Sequence, residues 1–331
     1  MSNPVITSKG YIGIAKQANK GSVVNTPQLY IKYLEEGFQS EHETMYEREG
    51  GDGEFLRTAI KNLHREKFSF KMYARAASAC IVLAYLLGED SKTGTGDPYT
   101  HTLIRNITTP AVRDWLTIRR LLDTGFIQVL YDAKIESITI EMEAGKPVIF
   151  TVEGTALSSF IDTTVNVPVY ETMKPFVFYH GDGAFKVETG INTDIKKVTV
   201  KITITSQDGL QTDSILLADL PDLKLDIDVS LEFYNNAMAF FKKSVYNNQT
   251  TPQETVYSGA FEFDLKTQEN VADDRELKIT IPKFFWQPVT GINLKGEPEA
   301  MVTALAGVAA IPAAGEIITV VCKNDLDSNL T

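Results

Sequence analysis

Residues Lys67–Asp90, KFSFKMYARAASACIVLAYLLGED, change their hydrophobic period halfway along the stretch. In the first part, Phe68, Phe70 and Met72 alternate with Ser, Lys and Tyr, which places them on one face of a β-strand. In the second part, apolar residues recur near the 3.6-residue period of a helix, and Gly88 is a typical residue for ending a helix. The stretch therefore predicts a strand followed directly by a helix.

The same order of elements returns in the second half of the chain. Residues 227–231 alternate between apolar and polar side chains, and an apolar helical stretch then ends at Asn247. The offset is 159 residues from Phe68 to Ile227, and again from Gly88 to Asn247. Asn is the residue that most often replaces Gly in the left-handed position after a helix. The common spacing predicts an internal duplication.

Other signals agree with a duplicated, strand-rich chain. Lys196–Thr205 has the clearest strand alternation in the sequence. The turn signals Gly145-Lys-Pro147 and Gly296-Glu-Pro298 each come directly before a predicted strand. We infer a mainly β protein of two tandem modules, at residues 1–165 and 166–331, each with one helix.

The composition is that of a globular protein, with 43% hydrophobic and 23% charged residues in a chain of 331. No apolar run reaches the roughly 18 residues that a membrane span needs. The first residues lack the continuous apolar segment of a secretion signal, so we expect synthesis in a cytoplasm without membrane insertion. Cys80 and Cys322 are expected to be buried free thiols.

The charge and the motifs argue against several functions. The net charge is −11, whereas proteins that grip nucleic acid by its phosphates are normally basic. The four histidines form no metal-binding spacing. Lys92-Thr93 does not fit a phosphate loop, because the glycines of such a loop come before the Lys-Thr pair and here they follow it. We therefore predict no catalytic, metal-binding or cofactor-binding residues and no enzymatic activity.

The order of these parts resembles the tail tube proteins of long-tailed bacteriophages over nearly the whole chain. The resemblance depends on several stretches together: Gly10-Tyr11-Ile12-Gly13, the Gly-Asp-Gly-Glu-Phe run at 51–55, the strand and helix ending at Leu86-Leu87-Gly88, the β run from Phe126 to Gly154, and the run Lys196–Leu231. No single motif among them is diagnostic.

This resemblance implies a β-sandwich or half-barrel in each module, with a flanking helix. It implies that copies pair edge to edge into rings, that the rings stack into a hollow tube in the virion tail, and that DNA passes through the tube without sequence-specific binding. The implied partners are the chain itself, the tape measure protein, the tail terminator and the distal tail protein, with assembly in the host cytoplasm. A duplicated chain is expected to need three copies per ring; six copies is the other possibility. The length and the duplication favour a flexible, non-contractile tail.

The lumen of such a tube is expected to be lined by the polar side of alternating strands. The candidates lie in one stretch of each half: Ser137, Thr139, Glu141, Glu143, Asp226, Asp228, Ser230 and Glu232. Carboxylates there would repel DNA phosphates and let the duplex slide. Lys67, Ser69 and Lys71, in the first strand-helix unit, argue against a uniformly negative wall.

Contacts between stacked rings are expected from the polar loops predicted at Glu41–Gly53 and Glu89–Pro98. The candidate contact residues in these loops are Glu41, Glu47, Asp52, Asp90, Lys92 and Asp97. Two other functions stay open at this point. One is a different virion ring component, such as a tail terminator or baseplate protein. The other is a carbohydrate-binding β-sandwich that presents the aromatic residues Tyr234, Tyr246, Tyr257, Phe284, Phe285 and Trp286.

Overall fold

The computed structural model describes residues 10–47, 58–106, 108–123, 125–178, 185–187, 190–191, 195–210, 214, 216–233, 237–267, 274–287 and 303–331. The protein is mainly β, with 57% strand and 7% helix. The strands and helices of the first half are β1 Ile12–Lys16, β2 Leu29–Ile31, β3 Tyr33–Glu47, β4 Thr58–Tyr73, α1 Ala76–Leu87, β5 Glu89–Thr93, β6 Tyr99–Ile104, β7 Leu116–Asp123, β8 Phe126–Glu143 and β9 Ile149–Asp162. Those of the second half are β10 Phe185–Val187, β11 Gly190–Ile191, β12 Ile195–Ser206, β13 Asp222–Phe233, α2 Ala237–Tyr246, β14 Ser258–Lys266, β15 Glu276–Trp286, β16 Thr303–Ala309 and β17 Thr319–Asn324.

One scheme of antiparallel pairing occurs in both halves. In the first half β1 pairs with β2 and β7, β4 pairs with β3 and β9, and β8 pairs with β7 and β9. In the second half β10 pairs with β11 and β14, β13 pairs with β12 and β16, and β15 pairs with β14 and β16. Among the described strands, the hairpin of β5 and β6 has no counterpart in the second half. Strand β6 also pairs with β17 and so connects the two halves.

The register of the repeated hairpins corrects the offset that the sequence predicts. The pairing register shifts by one residue next to the terminal pair of each hairpin. The terminal pair is Tyr33 with Met72 in the hairpin of β3 and β4, and Ile195 with Phe233 in the hairpin of β12 and β13. Met72 therefore corresponds to Phe233, at an offset of 161 residues, and the predicted offset of 159 is wrong for the strand. The helix ends do keep 159, and α2 is two residues shorter than α1, with 10 residues against 12.

The residues that end the two helices have the same backbone conformation. Gly88 has a φ of 93° and Asn247 a φ of 49°. The backbone N–H of Gly88 donates to the Ala84 carbonyl oxygen and closes the last turn of α1. The predicted stops of both helices are confirmed.

The two halves join through the long strand β8. Its first part, up to Ala133, pairs with β7, and its second part, Ser137–Glu143, pairs with β12 of the second half. The result is one continuous sheet of eight strands in the order β3, β4, β9, β8, β12, β13, β16, β15. Apolar side chains of β4, β8, β12 and β13 cover one face of this sheet and are buried in the core.

Helix α1 lies inside the core and does not flank it. All twelve of its residues are buried, because it packs against β8 and β6 of the first half and against β17 and β15 of the second. A helix that is apolar on every side requires such an environment. The expectation of a flanking helix is therefore wrong for the first half, where α1 fills the space between the two halves.

Candidate functional site

The face of the eight-stranded sheet that points away from the core is polar from β3 to β13, whereas β16 and β15 place Ala306, Val308 and Phe285 on it. One row of side chains crosses all eight strands in register: Glu35, Lys71, Thr151, Thr139, Lys201, Asp228, Val308 and Phe285. Because alternate residues of a strand share a face, the residues two positions away along each strand belong to the same surface. We call this surface the polar face.

All eight residues predicted to line a lumen belong to the polar face. Those on β8 and those on β13 are brought together by β12, which lies between the two strands and contributes Lys197, Thr199, Lys201 and Thr203. Sequence reasoning did not include β12, because its pairing with β8 joins distant parts of the chain and leaves no local signal. The register places the eight residues on one face of the sheet, and their position in a lumen stays a prediction.

The charges of the polar face form stripes that follow the strands. Carboxylates occupy β3 (Glu35, Glu41), the pair β9 and β8 (Glu153, Glu141, Glu143) and β13 (Asp226, Asp228, Glu232). Lysines occupy β4 (Lys67, Lys71) and β12 (Lys197, Lys201). Each lysine strand lies between two carboxylate strands, so the face holds more negative than positive charge and no broad basic area.

Neighbouring stripes pair with each other. The Nζ of Lys71 lies 2.8 Å from Oε2 of Glu35, and the Nζ of Lys67 lies 2.9 Å from Oε1 of Glu41. The hydrogen bond that Lys71 donates to Glu35 raises the pKa of Lys71, and the hydrogen bond from Lys146 lowers the pKa of Glu143. These pairs are largely exposed, so water and salt screen them. Their consequence is local: Lys67 and Lys71 are already matched by carboxylates of the same chain.

Ser137 is less accessible than expected for a lumen residue. Its side chain is 5% exposed, and its hydroxyl donates to Oε2 of Glu153 at 2.8 Å. Glu153 is its cross-strand neighbour on β9 and covers it. Ser137 therefore orients a carboxylate of the polar face and offers little surface of its own.

Four of the residues predicted to contact a stacked ring lie on strands, and Asp97 lies in the connection between β5 and β6. Residues 41–47 belong to β3 and residues 89–93 to β5, so the loop predictions are wrong there. Glu41 lies on the polar face, Glu47 is the last residue of β3, and Asp52 lies outside the described residues. Lys92 and Asp97 are engaged within the chain, with Asp327 and Arg275 respectively.

Asp90 is buried and cannot contact another ring. Its side chain has 0% exposure and lies 2.9 Å from Nδ1 of His101, which is equally buried. The Nε2 of His101 lies 3.0 Å from the Leu326 carbonyl oxygen, and the backbone N–H of Leu330 donates to Asp90 at 2.8 Å. This cluster fastens the C-terminal residues to β5 and β6. The prediction of Asp90 as a stacking residue is therefore wrong.

Strands β3 and β4 extend past their neighbour as a two-stranded arm. The last pair of β4 with β9 is Glu66 with Ala156, whereas β3 and β4 stay paired as far as Glu47 and Thr58. The extra seven residues of β3 give the arm a length of about 23 Å. The corresponding hairpin of β12 and β13 is shorter, and Asp208 in its connection forms an ion pair with Arg65 at the base of the arm.

A buried ionic cluster, which sequence reasoning missed, fixes the two halves at the same end of the sheet. Oδ1 of Asp222, on β13, accepts from Arg113 at 2.6 Å, and Oδ2 accepts from Arg105 at 2.9 Å. The Nζ of Lys134 lies 3.7 Å from Asp222. Burial raises the pKa of Asp222, but the three cations outweigh this and lower it. Only three-dimensional proximity reveals the cluster, since its members are scattered through the sequence.

The aromatic residues proposed for sugar binding do not form an exposed platform in the described part of the chain. Phe284 and Trp286 are buried and pack edge to face, with ring centroids 4.8 Å apart. Phe285 is on the polar face beside Val308. Tyr234 lies outside the described residues. Core packing therefore accounts for Phe284 and Trp286.

Cys80 and Cys322 are free and buried, as the sequence predicts. The described residues hold no cluster of three or more His, Cys, Asp or Glu side chains that could bind a metal ion. Neither helix in the described part of the chain has the length and apolarity that crossing a membrane requires.

Comparison with protein-family models finds no match to this chain, and comparison with curated proteins finds none either.

Proposed function

We propose that this protein is the tail tube protein of a long-tailed bacteriophage, a structural protein that assembles into stacked rings around a DNA conduit. The observation on which this depends is the junction of β8 with β12, which joins the two halves edge to edge. One chain thereby holds two consecutive segments of a sheet that further copies can extend.

The open edge of β3 supports this extension. In the repeated pairing scheme, β3 of the first half corresponds to β12 of the second half. Residues 35–41 of β3 correspond to residues 197–203 of β12, and residues 197–203 pair with β8. Among the described strands β3 pairs with β4 alone. A long unpaired edge invites pairing with another chain, and closure into a barrel removes it. We propose that the far edge of this sheet in one copy pairs with β3 of the next copy.

Three copies complete such a ring. Each contributes eight strands, so the closed barrel has twenty-four, more than the 16–18 strands that already enclose an aqueous channel in porins. A head-to-tail contact whose rotation closes gives a ring. In this arrangement each ring position is filled by one half of a chain, with residues 1–165 and 166–331 as the two modules.

The polar face suits the inner wall of a conduit. Strong binding to DNA requires cations that displace the counterions of the phosphates. On the polar face the lysines of β4 and β12 lie beside carboxylates of their neighbouring strands, and carboxylates are in excess. Such a wall repels phosphates at short range without a local site that would hold the duplex. The partners are then further copies and the proteins at the two ends of the tube, in the virion tail.

Electron microscopy of the purified protein tests the proposal. Hollow tubes of uniform diameter are the expected result. Single rings that do not stack would favour another ring component of the virion, such as a tail terminator. A chain that stays monomeric at every concentration and ionic strength, and that is stabilised by a sugar in a thermal screen, would contradict the proposal in favour of a carbohydrate-binding protein.

A further inference from the structure

A cavity of about 840 Å³ lies at the seam between the two halves, at the end of the sheet where β13 begins. The β6–β7 connection and Lys134 of β8 line it from the first half, and residues 219–225 line it from the second half. We call it the seam cavity. Its volume is in the range of sites that bind small molecules. Because its walls come from both halves, a bound molecule would contact both halves at once.

Much of the wall of the seam cavity is apolar. Val112, Leu223 and Ile311 line it and are 85%, 62% and 61% exposed. Ile204 and Ile317 line it as well and are buried. The apolar surface therefore runs from the solvent into the protein. Covering such surface with an apolar group removes it from water, which is favourable. We therefore expect a ligand of this cavity to have an apolar body.

Two ammonium groups lie against the ring of Trp115, which also lines the seam cavity. The Nζ atoms of Lys134 and Lys20 are 4.5 Å and 5.5 Å from the centroid of this ring. Lys20 is exposed, and its Nζ donates to the Ala218 carbonyl oxygen. Lys134 is only 4% exposed. The cavity thus holds a buried cation and an exposed cation on the two sides of its entrance from solvent to core.

The buried charge of Lys134 is compensated only in part. In the described part of the chain its Nζ donates to the Leu220 carbonyl oxygen at 2.7 Å, although an ammonium group has three donors. Oδ1 of Asp222 is 3.7 Å away, and this carboxylate already accepts from Arg105 and Arg113. Burial lowers the pKa of Lys134, and the charge of Asp222 offsets this only in part. A further carboxylate beside Lys134 would stabilise its ammonium form.

The charged side chains that line the seam cavity are mostly cationic. The cations are Lys20, Arg105, Lys134 and Lys224, and the carboxylates are Asp219 and Asp222. An anion is therefore favoured in the cavity over a neutral or a cationic molecule. Together with the apolar wall, the excess of cations selects a ligand that has an anionic head and an apolar body.

We propose that the seam cavity binds a small amphipathic carboxylate of the fatty-acid class, a function separate from assembly of the tube. The carboxylate of the ligand accepts hydrogen bonds from Lys134 and faces Lys20. Its hydrocarbon chain lies along the apolar wall and covers Leu223. Because the ligand contacts residues of both halves in the folded state alone, its binding stabilises the fold at the seam.

Sodium decanoate is the probe, titrated into the full-length chain at concentrations below micelle formation. Isothermal titration calorimetry measures binding, and thermal denaturation measures stability. We expect saturable binding and a melting temperature that rises with the decanoate concentration. Two further compounds are the ligand controls: decyltrimethylammonium has the same chain with a cationic head, and acetate has the carboxylate without the chain. Neither control should bind saturably.

The variant Lys134→Met removes the ammonium group and keeps an unbranched side chain. We expect the affinity for decanoate to fall by at least about tenfold, because a hydrogen bond to a charged group is lost. Lys242→Met, at an exposed site on α2, is the matched control and should keep the affinity of wild type. Lys20→Met, at the exposed lysine of the cavity, is expected to weaken binding as well. It decides the question if Lys134→Met does not fold.

Three results would overturn the inference. One is the absence of saturable decanoate binding to wild type. Another is equal binding of decanoate and decyltrimethylammonium, which would mean that the apolar wall attracts alkyl chains without regard to charge. The last is full affinity in the lysine variants of the cavity that fold. All of these measurements are made without assembly, so failure of this inference is distinct from failure of the proposed function.

Discussion

Ile202 of β12 lies directly opposite Ile138 of β8, and both side chains are fully buried. The two residues come from different halves of the chain, yet they are neighbours in one sheet and in one core. The pair belongs to a junction seven residues long. Because the same pairing scheme occurs on both sides of it, the junction within a chain is the natural template for the junction between chains.

The ionic cluster at the seam is expected to be essential for stability. Asp222→Asn removes the carboxylate that compensates Arg105, Arg113 and Lys134, and we expect a loss of about 3–5 kcal/mol in the free energy of unfolding. Urea denaturation measures the loss. Asp226→Asn, which disrupts an exposed pair with Lys224, is the control and should cost less than about 1 kcal/mol. Equal losses in the two variants would show that the seam does not depend on the cluster.

Two glycines lie at corresponding places of β9 and β16 beneath aromatic rings. A Cβ at Gly154 would overlap the Phe68 ring and the Lys134 carbonyl oxygen, and a Cβ at Gly307 would overlap the Phe284 ring. We expect Gly154→Ala to destabilise the protein by about 1–3 kcal/mol through overpacking. Gly96→Ala, where a Cβ meets open space, should change stability by less than about 0.5 kcal/mol. A neutral Gly154→Ala in thermal denaturation would rule out the close approach.

The ion pair of Arg119 with Asp162 is expected to make stability depend on acid pH. The hydrogen bond from buried Arg119 lowers the pKa of Asp162 to about 2. This folded-state value lies below the unfolded value of about 3.9, so the stabilisation is complete above about pH 5 and is lost as the pH falls towards 2. The difference in unfolding free energy between wild type and Asp162→Asn should therefore shrink over that range. A difference that stays constant from pH 6 to pH 2 would contradict the assignment.

The stripes of the polar face are expected to prevent DNA binding. Glu141→Lys with Asp228→Lys, beside the existing Lys201, would create a continuous basic area across β8, β12 and β13. We expect this variant to retain duplex DNA at low ionic strength, with an affinity that falls steeply with salt, whereas wild type does not. Filter binding measures it. Glu254→Lys, at an exposed site outside the sheet, is the control for a carboxylate replaced by lysine away from the polar face. Equal retention by both variants would mean that the face has no special role.

Local sequence patterns predicted the strands with a buried face and did not predict the arm. Lys196–Thr205 alternates because one side of β12 packs in the core, so the strand was evident. Residues 41–47 extend beyond β9, where only β4 pairs with them, so no core selects an apolar alternation and their acidic composition resembles that of a loop. An alternation of apolar and polar residues reveals a strand only where one face of the strand is buried.

The remaining errors come from contacts between distant residues. Asp90 looked like an exposed loop carboxylate, but His101 is its partner in the fold. The sequence showed the helical spacing of apolar residues in α1, but it did not show that strands pack on both sides of the helix. A buried helix was therefore predicted to flank the core. The polar face was predicted strand by strand, and the place of β12 between β8 and β13 was not predicted, because strand order is set by long-range pairing.

The number of chains in the smallest closed ring tests the central claim most directly. Native mass spectrometry of rings, prepared from a variant that does not stack, measures it. One chain has a mass of 36.7 kDa, and we expect a single species of three chains, about 110 kDa, because each chain fills two positions. A ring of six chains would contradict the equivalence of the junction within a chain and the junction between chains.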